Sequence, residues 1–151
     1  MNISVANDND VPDLCLLLQE LFAQEVEFVS NFNLQTQGLK QIIANPDIGT
    51  IFLARKQQEV LGMVSLLYTI STALGAKVAL LEDMVVTSTA RHQGIGSELI
   101  AAAMAYAKQQ GCQRITLLTD ANNHSAQQFY ARNGFTASTM LPMRLSLSML
   151  E

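Results

Sequence analysis

Two glycines and an arginine stand where an apolar run gives way to a helical pattern, in the segment RHQGIGSELI at residues 91–100. The first free N–H groups of a helix bind anions, and glycine at positions 94 and 96 lets a phosphate approach the backbone. Arg91 can pair with the same phosphate. The alternative is a strand-to-helix turn without a ligand. Two other phosphate loops are excluded, because there is no G-x-x-x-x-G-K-[ST] pattern and Leu99 stands where a Rossmann fold needs a third small residue.

Two adjacent carboxylates, Glu82 and Asp83, interrupt the apolar run LLEDMVV just upstream. Their apolar neighbours predict a strand covered on both faces, and the alternation of strand side chains predicts that the two carboxylates point to opposite faces. A carboxylate in such a place is costly unless it is paired or lines a cleft. One of them is therefore expected to line a reaction site, and the alternative is a structural ion pair with Arg114 or Arg144.

The elements that must position these groups follow from the apolar periodicity. The alternating residues 3–5 predict a first strand, leucines at helical spacing predict a first helix ending near Glu25, and a second helix is expected over residues 34–44. A β-rich stretch with a polar turn at residues 56–59 predicts an antiparallel hairpin. A further strand, a helix over residues 94–111, a strand RITLLTD, a helix over residues 123–134 and two final strands, FTAST and MRLSLSML, complete the order βααβββαβαββ. The predicted class is α/β (α+β).

The composition of the chain argues against several classes of function. The 151 residues are 49% hydrophobic and 15% charged, with a formal charge of −4, which is typical of a single globular domain over residues 1–151. An acidic chain without a basic cluster is a poor candidate for binding nucleic acid, and no apolar run is long enough for a membrane span. Cys15 and Cys112 lack metal-ligand spacing, so no metal is expected, and they indicate reduced thiols in a cytoplasmic protein.

Three segments together resemble one known family. RHQGIGSELI resembles the acetyl-CoA-binding motif of the GCN5-related N-acetyltransferases (GNAT), and LLEDMVV looks like that family's fourth strand. NHSAQQFYARNGF is similar to a later segment of the family. The positions that match this later segment are Asn123, Ala126, Phe129, Tyr130, Gly134 and Phe135. The predicted order of elements also matches the family, so the resemblance implies a GNAT-like mixed, mostly antiparallel central sheet with helices on both faces.

The resemblance also implies where acetyl-CoA binds. Its pyrophosphate would lie on the backbone N–H groups of residues 93–97. Its pantetheine arm would add like a strand to the end of the fourth strand, near residues 84–86, where the family has a bulge that splays the sheet. Asn123 would touch the pantetheine, and Tyr130 would reach its sulfur. The implied cofactor-binding residues are Met84, Val85, Val86, Arg91, His92, Gln93, Gly94, Ile95, Gly96, Ser97, Asn123, Ala126, Phe129 and Tyr130.

Acetyl transfer to an amine requires removal of a proton from the amine, stabilisation of an oxyanion and protonation of the departing thiolate. The resemblance makes Tyr130 the candidate acid, and its alternative is an ordinary helical tyrosine. The LED stretch is similar to that of diamine acetyltransferases, which makes Glu82 a candidate base or amine-binding group, with Asp83 as the second candidate. Glu25, Glu27 and Phe28 follow the first helix, where a solvated acidic turn is favoured over an acceptor pocket.

The sequence therefore predicts an acetyl-CoA-dependent N-acyltransferase that acetylates a primary amine of a small molecule by direct transfer in a ternary complex. The alternatives are a protein or peptide N-acetyltransferase and a non-catalytic acyl-CoA-binding module. A homodimer is also predicted, because the two final strands would leave a sheet edge that needs covering and symmetric dimers are the commonest oligomers.

Overall fold

A computed structural model describes residues 1–25 and 30–149. It contains a five-stranded sheet and four α-helices in the described residues. The strands are β1 (Asn2–Val5), β2 (Gly49–Lys56), β3 (Glu59–Ser71), β4 (Ala76–Val86) and β5 (Ile115–Leu117). The helices are α1 (Val11–Gln24), α2 (Phe32–Ala44), α3 (Ile95–Gln109) and α4 (His124–Arg132). None of these helices is long and apolar enough to cross a membrane.

The sheet has the strand order β1-β2-β3-β4-β5. Strands β1 to β4 pair antiparallel, and β5 joins β4 in parallel. The predicted hairpin is confirmed, with Lys56 and Glu59 paired across the turn and Gln57 at a φ of +59°. A mixed, mostly antiparallel sheet with helices confirms the predicted fold class.

Two apolar clusters hold the helices against the sheet. On one side, α1 and α2 cover a cluster that contains Leu14, Leu39 and Met63. On the other side, α3 contributes Leu99 and Ile100, which are fully buried, to a larger cluster. The sheet is therefore covered by helices on both faces, as expected, and the ends of α1, β4 and α3 meet at one edge of the molecule.

The predicted order of elements is wrong at its end. FTAST and MRLSLSML form no strands: residues 133–146 contain no helix or strand, and Leu147–Met149 is a short 3₁₀ turn. A strand must satisfy its backbone through a neighbour, and this segment pairs with none of the described residues. The sheet edge used in the homodimer prediction is therefore not the one observed, because the edge is formed by β5. Glu27 and Phe28 lie outside the described residues.

Candidate active site

A bulge interrupts β4 at the two predicted carboxylates. Met63 of β3 is opposite Val85 and Ser65 is opposite Glu82, so a step of two residues on β3 corresponds to three on β4. Asp83 is accommodated with a φ of +53°, a left-handed conformation that is uncommon for residues other than glycine. The extra residue is the defining feature of a β-bulge, which bends a strand and increases its twist.

The bulge also changes which way the side chains point. Leu81 and Met84 are three residues apart, yet both pack with the cluster on the α3 side, whereas Val85 packs with the α1 and α2 side. The strict alternation that predicted opposite faces for Glu82 and Asp83 is therefore wrong at this point. The negative charge of Glu82 raises the pKa of Asp83, so the two carboxyls lie within electrostatic reach of one another.

Asp83 is the perturbed carboxyl of the pair. Burial raises its pKa from the ordinary 3.8 to about 7, and the negative charges of Glu82 and Glu25 contribute to the same shift. Glu82 is exposed. Neither carboxyl forms a salt bridge with Arg114 or another described residue, so the structural ion pair is not observed. A carboxyl that titrates near neutral pH is suited to general base catalysis.

A buried hydroxyl lies opposite the bulge. Ser65 pairs with Glu82 across the two strands and is 1% exposed. Its Oγ has no hydrogen-bond partner among the described residues. Buried polar atoms are satisfied in most native structures, by protein or by ordered water. Ser65 therefore places one buried polar group on β3, directly across from Glu82 of β4.

The edge of β4 that faces β5 is open beyond the bulge. The parallel pairing covers only residues 79–81 of β4 and Ile115–Leu117 of β5. On that edge, Arg91 donates a hydrogen bond from Nε to the carbonyl oxygen of Val86 at 3.1 Å. Two strands that separate in this way leave backbone groups that an extended ligand can pair with.

The loop between β4 and α3 is attached to α1. The carboxylate of Glu20 accepts a hydrogen bond from the Thr87 hydroxyl at 2.8 Å and from the Ser88 backbone N–H at 3.1 Å. These bonds fix the start of a 3₁₀ turn, Ser88–Ala90, which leads into the glycine loop. No pattern in the sequence around Glu20 predicts this contact, because its partners are 67 and 68 residues away.

The glycine loop ends at an uncapped helix N-terminus. His92 has a φ of +65° and Gly94, the N-cap of α3, has a φ of +82°. Gly94 makes no side-chain capping bond, so the N–H groups of the first turn, in residues 95–97, have no partner from the cap. Free N–H groups and the positive end of the helix dipole favour an anion at this position. The predicted turn from strand to helix is thus present, and phosphate binding by this loop stays a prediction.

The second glycine of the motif has a different role. A Cβ added at Gly96 would lie 3.0 Å from Cζ of Phe129 and 3.3 Å from Cε of Met84, whereas one at Gly94 would meet nothing within 4 Å. Gly94 is required for its positive φ, and Gly96 is required because β4, α3 and α4 approach one another there. The three segments that resemble the family, LLEDMVV, RHQGIGSELI and NHSAQQFYARNGF, are therefore packed closely together at Gly96.

Helix α4 presents the remaining motif residues. Asn123 caps the helix by accepting a hydrogen bond from the Ala126 N–H at 3.0 Å, which leaves its NH₂ group able to donate. Tyr130 packs edge-to-face against Phe129 and Phe135, with ring centroids 5.2 Å and 5.8 Å away. Burial raises the pKa of Tyr130 to about 12, and the negative charge of Glu25 contributes to the shift.

Glu25 links these groups. Its charge raises the pKa of both Asp83 and Tyr130, so the end of α1 lies within electrostatic reach of the β4 bulge and of helix α4. The roles of Tyr130 as acid and of Glu82 or Asp83 as base stay predictions. The side chains of His92 and Gln93 are exposed. No group of three metal-ligating side chains occurs among the residues the structure describes.

Comparison with known proteins shows the family to which the chain belongs. Residues 16–135 match the Acetyltransferase (GNAT) family, and the chain belongs to that family. Over 143 residues it is 32% identical to the uncharacterized N-acetyltransferase YhfO of Bacillus subtilis, with 92% of each protein covered. A solved structure, a transcriptional regulator from Bacillus halodurans C-125, superposes with a TM-score of 0.80 at 28% identity, covering 95% of this chain and 99% of that one.

Two further relatives have named acceptors. The chain is 28% identical over 133 residues to the aminoalkylphosphonate N-acetyltransferase of Salmonella typhimurium, covering 88% of this chain and 83% of the relative. It is 34% identical over 101 residues to the aminoglycoside N(6')-acetyltransferase type 1 of Serratia marcescens, covering 64% and 68%. The family and these relatives define the protein as an acetyl-CoA-dependent N-acyltransferase, for which acetyl-CoA is the co-substrate.

Proposed function

We propose that the protein transfers the acetyl group of acetyl-CoA to a primary amine of a small molecule, by direct transfer while both substrates are bound. The observation that most strongly supports this is the β4 bulge, where the pairing with β5 has ended and burial raises the pKa of Asp83 to about 7. We also propose a cytoplasmic location, which agrees with the free thiols of Cys15 and Cys112.

The loop and β4 fit the co-substrate. The pyrophosphate would bind to the uncapped N–H groups of residues 94–97 and to Arg91, with residues 92 and 93 contributing backbone contacts. The pantetheine would pair with residues 84–86 along the open edge of β4, and the NH₂ of Asn123 would hold it from α4. Ala126 and Phe129 would line the same side. This would direct the thioester towards Tyr130.

Asp83 is the preferred base. An alkyl ammonium has a pKa near 10.4 and must lose a proton before nitrogen can attack. Asp83 is ionised in a large fraction of molecules at neutral pH and can accept that proton, either directly or through a water. Glu82 is exposed, so its carboxylate would attract the cationic acceptor rather than exchange protons with it. The sequence analysis gave Glu82 as the first candidate for the base and Asp83 as the second, and this proposal reverses that order.

Tyr130 would act as a hydrogen-bond donor to sulfur. An unperturbed thiol has a pKa of roughly 8.5, and the pKa of Tyr130 is about 12, so full transfer of the phenolic proton is unfavourable by roughly three orders of magnitude. The Tyr130 hydroxyl would stabilise the departing thiolate while remaining protonated. The proton that the sulfur finally takes would come from the attacking nitrogen as the C–N bond forms and the C–S bond breaks.

The charge around the acceptor space favours a cationic amine. Glu82 and Asp83 are adjacent at the bulge, and Glu25 lies within electrostatic reach of Asp83, so their negative field would repel a phosphonate. Of the two relatives with named acceptors, the aminoglycoside acetyltransferase therefore offers the closer model for the chemistry of the acceptor. A small molecule with several ammonium groups would be attracted by the adjacent carboxylates of Glu82 and Asp83.

The test is release of the CoA thiol with an acceptor panel of a diamine, an aminoglycoside, an aminoalkylphosphonate and a peptide. We expect turnover with the first two and little with the last two. Preference for the peptide would favour the protein acetyltransferase alternative, and tight acetyl-CoA binding without turnover of any amine would favour a binding module. Mass spectrometry of the protein with acetyl-CoA alone should show no acetyl-enzyme, and a covalent adduct would contradict direct transfer.

A further inference from the structure

Ser65, in the middle of β3, has a buried hydroxyl without a partner. Its side chain is 1% exposed, and its Oγ forms no hydrogen bond in the part of the chain that the structure describes. The other buried polar side chains described, Asp10 and Thr50, are each paired, with Arg55 and with Tyr68. An unpaired buried hydroxyl destabilises a fold, whereas an alanine of similar size would not. The packing of β3 therefore does not explain why this residue is polar.

The hydroxyl of Ser65 lies on the face of the sheet that α1 and α2 cover. Val64 and Leu66 pack with the cluster on the α3 side, whereas Met63 packs with the cluster on the α1 and α2 side. Because strand side chains alternate, Ser65 shares the face of Met63. Its register partner is Glu82, and directly opposite side chains share a face, with Cβ atoms roughly 4.5–5.5 Å apart. Ser65 is therefore a neighbour of the carboxylate whose charge acts on Asp83.

The bulge supplies further hydrogen-bonding groups beside this hydroxyl. The register skips residue 64 of β3 and residues 83 and 84 of β4. A bulge disrupts the ladder locally and leaves backbone groups available to another partner. A buried water needs room and about two to four polar partners. The Ser65 hydroxyl, these backbone groups and the half-buried carboxyl of Asp83 are enough partners for one ordered water.

We propose that Ser65 is a positioning residue for the proposed base: its hydroxyl holds an ordered water that donates a hydrogen bond to the Asp83 carboxylate. This inference rests on the proposed function, in which Asp83 accepts the proton of the acceptor amine. The water would hold the carboxylate in one orientation and stabilise its ionised form, which is the form that accepts a proton. Ser65 itself would touch neither substrate. If Ser65 were present only because a small side chain fits beneath α1, alanine would serve equally well.

The expected effect on Asp83 has a definite sign. Burial raises its pKa to about 7, and the charges of Glu82 on the same strand and Glu25 at the end of α1 add to the rise. Tyr130 of α4, whose pKa burial raises to about 12, is uncharged at neutral pH. Among the described residues, no charge on β3, β5 or α3 contributes to the shift of Asp83. A hydrogen bond donated to the carboxylate acts in the opposite direction, so removal of the Ser65 hydroxyl should raise the pKa of Asp83 further.

The first test is the pH dependence of kcat/KM for Ser65→Ala, with an amine that the unaltered chain acetylates. The acid limb should move to higher pH by about one unit, so that kcat/KM at pH 6 falls roughly tenfold, while kcat/KM above the limb changes by less than about threefold. The matched control is Ser71→Ala, the same substitution at the other end of β3, where the hydroxyl accepts a hydrogen bond from the Leu74 N–H. This control should leave the limb in place. An unmoved limb in Ser65→Ala overturns the proposal.

The second test titrates Asp83 directly and does not depend on turnover. The carboxyl carbon of Asp83 is followed by NMR and assigned by its absence from the spectrum of Asp83→Asn. Its midpoint should be about one pH unit higher in Ser65→Ala than in the unaltered chain, and equal midpoints overturn the proposal. Failure of the proposed function has a different signature, because no amine would then be acetylated or Asp83→Asn would keep full activity.

Two further observations separate the hydroxyl from the size of the side chain. Ser65→Thr keeps the hydroxyl, so the folded variant should keep the acid limb of the unaltered chain, and the limb of Ser65→Ala in this variant would overturn the proposal. If the added methyl prevents folding, the titration of Ser65→Ala decides alone. A crystal structure of the unaltered chain should show a water within about 3 Å of Ser65 Oγ and of the Asp83 carboxyl, and a dry hydroxyl would contradict the inference.

Discussion

Replacement of Asp83 by Asn at the β4 bulge is expected to increase stability and abolish activity. The pKa of Asp83 is raised from 3.8 to about 7, and each unit corresponds to 1.36 kcal/mol. Ionisation of Asp83 therefore lowers the free energy of unfolding by roughly 4 kcal/mol before solvent screening. Because the side chain is only half-buried, screening reduces this cost to about 2–4 kcal/mol. Asn has the shape of Asp without the charge, so it removes this cost.

The sign of the pH dependence follows from the raised pKa. Neutral Asp83 contributes stability that is complete below pH 3.8 and is lost as the pH rises through about 7. The stability gain of Asp83→Asn should therefore be near zero below pH 4, grow between pH 4 and 7, and stay constant above pH 7. At pH 8 the variant should melt roughly 5–15 °C above the unaltered chain, using the usual conversion for a domain of this size.

The activity of Asp83→Asn provides a second test of the same reasoning. With a base whose pKa is about 7, kcat/KM should fall on the acid side of pH 7, because only about one tenth of Asp83 is ionised at pH 6. Asp83→Asn should lower kcat/KM by about 10²–10⁴-fold. Glu82→Gln removes a negative neighbour that raises the pKa of Asp83, so the acid limb should move to lower pH.

The matched control is Asp47→Asn, which removes an exposed carboxylate in the turn before β2 and should change neither the melting temperature nor kcat/KM. The reasoning is refuted if Asp83→Asn retains full kcat/KM, or if its stability gain is the same at pH 4 and at pH 8. Loss of activity in Glu82→Gln together with full activity in Asp83→Asn would make Glu82 the base, as the sequence first ranked it.

Five further substitutions test the surroundings of the site. Gly96→Ala forces a methyl to within about 3.0 Å of an aromatic ring, so it should lower the melting temperature and weaken CoA binding in calorimetry, whereas Gly94→Ala adds only backbone strain of roughly 1–2 kcal/mol. Tyr130→Phe should lower kcat while acetyl-CoA affinity stays within about twofold, and full kcat would make Tyr130 structural. Glu20→Gln should raise the KM for acetyl-CoA more than it lowers kcat, because it weakens two bonds that hold the loop, and an unchanged KM would contradict this. Ser65→Ala should leave the melting temperature unchanged or higher, since its buried hydroxyl lacks a described partner, and a drop of several degrees would refute this.

Much of the scaffold was predictable because its signals are local. Leu14, Leu17 and Leu18 recur at helical spacing, and all three are buried on the inner face of α1. The hairpin turn and the helix over residues 124–132 were likewise predicted to within a few residues. Glycines 94 and 96 marked the loop correctly, because a positive φ and a close approach each restrict the residue to glycine or nearly so.

The final strands could not be predicted in the same way. The alternation in MRLSLSML is a true feature of the sequence, but a strand exists only where a neighbour accepts and donates its backbone hydrogen bonds. That neighbour is distant in the chain or belongs to another copy, so local pattern does not determine whether pairing occurs. For the same reason the local pattern did not indicate the role of Glu20 in holding the loop, because its hydrogen-bond partners are 67 and 68 residues away in the chain.

The bulge shows how one backbone detail determines the chemistry. The residues of LLEDMVV do not themselves distinguish a regular strand from one with an inserted residue, because Asp83 is accommodated through its φ of +53° and not through a glycine. The bulge was expected only from the family resemblance. The parallel pairing of β4 with β5 ends at Leu81, just before the bulged pair, since a bulge bends and twists its strand away from the neighbour. The same inserted residue brings the second carboxyl within reach of the first, and this contributes to the raised pKa of Asp83. The opening for the pantetheine and the proposed base therefore have a common origin, and a variant that deletes Asp83 and restores regular alternation should lose acetyl-CoA binding together with activity.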